Sequence, residues 1–173
     1  MDWMQQVEGL LNRYTTGAGD HATAERDFEH VAQAAPRDAV AAGLADAFRS
    51  PQTAPFPQML SQLFGQSATA QRTGVLSTLL TTLGPAVLSQ VLSRRGIPVA
   101  DHIRTEGRIS PEVAQQIPPD AVAELATEAE RKDPSVIDRL GHFYADQPAI
   151  VKTLGGAALV IALAKVAQAQ SRG

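Results

Sequence analysis

The chain has 173 residues, a formal net charge of −3, 44% hydrophobic but only 5% aromatic residues, and no cysteine. That length supports a real core in one domain of ordinary size, and the missing cysteine excludes disulfides, thiolate metal sites and a cysteine nucleophile. With so few aromatics, alanine and leucine must fill most of the interior. The expectation is an all-α fold: a compact bundle of short, proline-broken helices around an apolar C-terminal helix.

Charge is banded. Residues 1–48 hold eight acids and three bases, and residues 98–146 hold ten acids and five bases. Between them, residues 49–97 carry four arginines and no acid, and residues 147–173 carry three bases and no acid. The charge-poor bands read as core layers and the acidic bands as their solvated jacket. Four scattered arginines are too sparse for a nucleic-acid footprint, which needs clustered bases.

Trp3, Met4, Val7, Leu10, Leu11 and Tyr14 recur at i, i+1, i+4, i+7, i+8 and i+11. That spacing predicts one apolar stripe on an amphipathic helix, and it makes these six residues the candidate interaction surface. Thr15 to Asp20 (TTGAGD) breaks the pattern and reads as a flexible tether, so residues 1–20 are set apart from a helical domain over 21–173. With only Glu8 and Arg13 on the polar side, docking on protein is favoured over anionic lipid. The acidic start lacks the basic and apolar regions of a signal peptide. No stretch reaches the roughly 20 apolar residues of a membrane span. A cytoplasmic protein without a transmembrane span is therefore expected.

Phe28 and Val31 anchor a second helix. Pro36 stops it and restarts the chain, with Val40, Leu44, Ala47 and Phe48 inward on the third. An internal repeat covers this corner. Val31 to Ala41 reads VAQAAPRDAVA and Val113 to Ala123 reads VAQQIPPDAVA, identical at eight of eleven positions with a constant offset of 82. Both copies describe a helix stopped by proline and restarted with an aspartate in its first turn. Independent use of a common corner and an ancient duplication fit equally well.

Ser50 to Pro57 (SPQTAPFP) must be extended or turned and marks a seam. A short helix over Gln58–Phe64 follows. Thr73 to Ser93 then has no charged residue: Val75, Leu76, Leu79, Leu80 and Leu83 form a stripe backed by Ser77, Thr78, Thr81 and Thr82. Gly84-Pro85 breaks the helix before Leu88 and Val91 resume the period. Hydroxyl backs suit partial burial, because Ser and Thr bond to the helix's own carbonyls. The run Leu79-Leu80-Thr81-Thr82-Leu83-Gly84-Pro85, with the helices broken at P-x-D, resembles uncharacterised bacterial all-α proteins of the YidB-like group. The resemblance covers about the middle third of the chain; it implies an Ala- and Leu-rich helical fold in a bacterium and brings no catalytic or binding residues.

Short turns are expected between Ile97 and Pro118, a helix over Pro119–Arg131, and a cap at Asp133-Pro134-Ser135. The last helix, read as Gln147 to Ala169, carries no charge from Thr153 to Ala164 and is apolar all round, which calls for burial among helices or in lipid. Its twelve uncharged residues span about 18 Å at 1.5 Å each, short of the roughly 30 Å of a bilayer. Gly155, Ala158 and Ala162 form a small-residue stripe suited to close helix approach, and the uncharged pair Thr73–Ser93 is its expected neighbour.

Chemistry is thinly signalled. None of His21, His30, His102 and His142 has the i, i+4 pairing of a helical zinc site, and no phosphate loop or nucleophile elbow occurs. Asp101, His102, Arg104 and Glu106 are the one polar cluster that could converge for catalysis. No catalytic residue, cofactor or metal is assigned. The first expectation is a non-catalytic protein acting through protein–protein contact, as a homo-oligomer. The alternative is a lipid or apolar molecule held between the last helix and the Thr73–Ser93 pair. Leu79, Leu83, Leu88, Gly155, Ala158 and Ala162 would line that pocket, and Arg72, Arg94 and Arg95 would meet an anionic head group.

Overall fold

A computed structural model describes residue 9 and residues 21–172. The candidate surface from Trp3 to Tyr14 lies outside the described residues. Among the described residues there are eleven α-helices, a single 3₁₀ turn and no strand, so the fold is all-α. The helices are α1 (His21–Ala34), α2 (Arg37–Arg49), α3 (Phe56–Gln66), α4 (Thr69–Leu83), α5 (Pro85–Arg94), α6 (Ala100–Glu106), α7 (Pro111–Gln115), α8 (Pro119–Lys132), α9 (Val136–Ala145), α10 (Pro148–Val151) and α11 (Gly156–Arg172). The chain divides into two compact units, one of residues 1–55 with 141–173 and one of residues 56–140. The first boundary falls inside the seam expected at 50–57. The second falls within α9, where nothing in the sequence announces it.

In the first unit, α11 packs on α2 and α1. Ala158, Leu159, Ala162, Leu163, Val166 and Ala167 are all buried on α11, the i, i+1, i+4, i+5 face of one helix. The expected continuous helix from Gln147 is broken, however. A 3₁₀ turn at Lys152–Leu154 leads into Gly155 at φ +96°, a conformation that a Cβ would disfavour. The main neighbour of α11, α2, buries Val40, Ala41, Gly43, Leu44, Ala45, Ala47 and Phe48. A Cβ at Gly43 would sit 2.6 Å from the Ala162 carbonyl oxygen and 3.2 Å from Val166 Cγ2. Close helix approach is thus made by Gly43 against Ala162. Gly155, half-buried with open space where its Cβ would be, takes no part in it.

In the second unit, α3 packs on α8, and α4 packs on α7 and α8. Large side chains fill this core: Phe56, Met59, Leu60, Leu63 and Phe64 from α3, and Val75, Leu76, Leu79, Leu80 and Leu83 from α4, are all buried. The hydroxyl backs behave as the sequence implies. Thr73, Thr78, Thr81 and Thr82 each donate to the carbonyl four residues earlier, at 2.8 to 3.0 Å. The chain bends by 113° between α4 and α5, and among the described residues no single helix is long and apolar enough to cross a membrane.

Each unit holds one copy of the repeat, and the local structure is the same in both. Pro36 (φ −59°, ψ 147°) and Pro118 (φ −77°, ψ 158°) each stand just before the second helix. The Pro36 carbonyl accepts from Ala39 N at 3.1 Å and Val40 N at 3.2 Å, while that of Pro118 accepts from Ala121 N at 3.1 Å and Val122 N at 3.3 Å. Val31, Val40, Val113 and Val122 are buried. The next residue ties each corner to a neighbouring helix. Arg37 donates to the His142 carbonyl at 3.2 Å, and the Pro119 carbonyl accepts from the Ser61 hydroxyl at 2.9 Å.

Candidate functional site

Helices α6 and α7 border an open cleft of about 530 Å³ lined by Pro98, Val99, His102, Ser110, Glu112, Val113 and Gln116. All seven belong to the second unit. Beneath them, Ile103, Ile109, Ala114 and Ile117 are buried and anchor both short helices. Ser110 starts α7: its hydroxyl accepts from Val113 N at 3.3 Å, one N-terminal donor that the helix cannot satisfy itself. Gln115 Nε2 donates to Thr69 Oγ1 at 3.2 Å and ties α7 to α4. Val99 and Val113 are almost fully covered, whereas His102, Glu112 and Gln116 are exposed on the rim.

Of the polar cluster singled out in the sequence, only His102 reaches this cleft. Asp101 pairs with Arg104 one turn along the same helix at 3.4 Å. Arg104 Nε also donates to Ser89 Oγ at 3.4 Å, and Glu106 is exposed. The four side chains do not converge, because consecutive residues on a helix point about 100° apart. Glu112, Ser110 and Gln116 were missed as site residues. The start signal Ser110-Pro111-Glu112 was legible, but not the turn that folds α7 back beside α6.

The arginines expected to meet an anion are committed to the protein itself. Arg72 donates to the Ser67 and Gly65 carbonyls at 3.0 and 3.1 Å and stacks 5.0 Å above the Phe64 ring, capping the end of α3. Arg94 and Arg95 share Glu124 at 3.3 and 2.8 Å. The six residues named for an apolar pocket are likewise divided. Leu79, Leu83 and Leu88 are buried in the second unit, and Ala158 and Ala162 in the first. Within the first unit, the helices packed on α11 are α1 and α2. His142 Nδ1 lies 3.7 Å from Asp38 Oδ1 at the surface. Among the described residues, no three His, Asp or Glu side chains gather to hold a metal ion.

Asp133 caps α9. The Ser135 hydroxyl and N–H donate to its Oδ1 at 2.8 and 3.1 Å, and Arg139 donates to Oδ2 at 3.1 Å. These bonds, the Ser135 hydroxyl's foremost, hold its carboxyl below the ordinary aspartate value. The effect belongs to the turn between α8 and α9. No protein-family model, curated protein or solved structure matches this chain.

Proposed function

We propose that this protein is a non-catalytic helical module that works through protein–protein contact, associating with itself through Trp3, Met4, Val7, Leu10, Leu11 and Tyr14. The observation that carries this reading is the spacing itself: six large apolar residues recur at the interval of one helix face and are followed by Thr15-Thr16-Gly17-Ala18-Gly19-Asp20. A helix with one apolar face must bury it against something, and a Gly-containing tether lets that partner be a second copy. The commitment of Arg72, Arg94 and Arg95 to internal partners and the splaying of Asp101, His102, Arg104 and Glu106 support contact over chemistry. The alternative reading, a lipid or apolar molecule along Leu79, Leu83, Leu88, Gly155, Ala158 and Ala162, draws its lining from both units. The resemblance to the YidB-like group adds no partner.

Light scattering on the full chain across a wide concentration range tests this reading. The expected outcome is a mass that rises to at least a dimer and returns to a monomer in the double variant Val7→Glu, Leu11→Glu. A monomer at every concentration would remove the claim.

A further inference from the structure

We infer that the cleft between α6 and α7 is a binding site for an organic cation, an ammonium or guanidinium group carried on an apolar stem. The floor supplies the apolar part: Val99 and Val113 are 7% and 4% exposed, and Pro98 flanks them. A volume of about 530 Å³ lies within the range of small-molecule sites, roughly 300–1,000 Å³.

The rim sets the sign of the charge. The Glu112 carboxylate is acceptor-only and has no ion-pair partner among the described residues. The amide nitrogen of Gln116 is already donating to the Glu112 carbonyl at 3.4 Å, which leaves its side-chain oxygen for a ligand. Ser110 Oγ accepts from Val113 N and keeps its own O–H. No Lys or Arg lines the cleft. A rim whose one carboxylate is Glu112, above an apolar floor, matches an organic cation and repels a carboxylate or phosphate. The surrounding band, residues 98–146, holds ten acids against five bases and adds an attractive field.

The repeat makes the cleft a site-specific addition. Val113, Glu112 and Gln116 stand where the first unit has Val31, His30 and Ala34. In the first unit the corner is entered directly from the long helix α1 (His21–Ala34). The second unit carries α5 and α6 at that point, and α6 supplies His102 and, at its entry, Pro98 and Val99.

The cation can be a free amine or a basic side chain of a protein, and both are testable on the full chain by NMR. The probes are phenethylamine and benzamidine, phenylacetate as the anionic control, and an end-capped tripeptide with lysine between two leucines. Saturable shifts of Val99, His102 and Val113 with a cation are expected, without saturation by phenylacetate. Glu112→Gln removes one charge-assisted contact and should weaken binding about tenfold or more; His102→Ala should weaken it less. Because Glu112 is exposed, the variant's undisturbed spectrum serves as the folding control. Tighter binding of the free amines assigns a small-molecule source, and tighter binding of the tripeptide assigns a protein side chain. Equal binding of phenylacetate, unchanged affinity in Glu112→Gln, or shifts confined to other residues would overturn the site.

Discussion

In the first unit the helix after the proline corner, α2, meets its neighbour backbone to backbone; in the second, the equivalent helix α8 meets its neighbours through large side chains. The offset of 82 residues makes the contrast direct. Gly43 of α2 corresponds to Leu125 of α8, and Leu44 to Ala126. Gly43 lets the Ala162 carbonyl of α11 approach to where a Cβ would be. Leu125 is fully buried in a core shaped by Phe56, Leu60, Leu63 and Phe64 of α3. Gly141 of α9 repeats the first device, since a Cβ there would sit 2.9 Å from the Ala41 carbonyl oxygen. One corner sequence is therefore compatible with two kinds of packing, and the residues just past the corner decide which is used.

The largest expected effect lies in the side-chain-filled unit. Phe64→Ala deletes a fully buried ring and the platform under Arg72. It should cost about 3–5 kcal/mol in a denaturant titration, with amide exchange rising first in α3 and α8. Ser110→Ala removes the side-chain cap of a five-residue helix. A loss of about 1 kcal/mol is expected, with methyl shifts at Val113 reporting the loosened cleft. Glu124→Gln releases Arg94 and Arg95, both at least a third exposed; screened surface pairs of this kind contribute under about 1 kcal/mol. If that variant were severely destabilised, the pairing would be more than a surface contact.

The smallest effect is a pH dependence. The Asp133 carboxyl is held below its ordinary value by Ser135 and Arg139, so the folded state prefers the ionised form. Its contribution is present above the unfolded aspartate value and is lost as pH falls through the lowered folded value. Thermal unfolding of Asp133→Ala beside the parent chain should show a stability difference at neutral pH that shrinks toward strongly acidic pH. A difference that grew on acidification would contradict the assigned direction.

Local signals in the sequence carried well. The proline corners, the hydroxyl-backed α4 and the break at Gly84-Pro85 are each set by residues within a turn of one another, and all stand in the structure. Tertiary partners did not carry. Hydropathy points the apolar last segment toward the uncharged pair Thr73–Ser93 but is blind to the close backbone approach that Gly43 offers α11. Gly43, isolated among alanines, gave no sign of being the closest contact. Gly155 looked like part of the small-residue stripe, yet the Gly155-Gly156 pair breaks the helix instead. The cleft was hidden for a similar reason. His102 and Glu112 are ten positions apart, and only the turn between α6 and α7 brings them to one opening.

The most direct test of the two packing modes is a pair of identical substitutions read by equilibrium unfolding. Gly43→Ala places a methyl group 2.6 Å from a backbone oxygen and should destabilise by about 1–3 kcal/mol, because backbone cannot step aside cheaply. Gly65→Ala, whose added Cβ finds only Pro119 Cγ at 3.6 Å, should be neutral or stabilise by up to about 1 kcal/mol through helix propensity. Opposite signs are the expected result. Two substitutions of equal effect would contradict the claim that backbone closeness holds the first unit and side-chain filling the second.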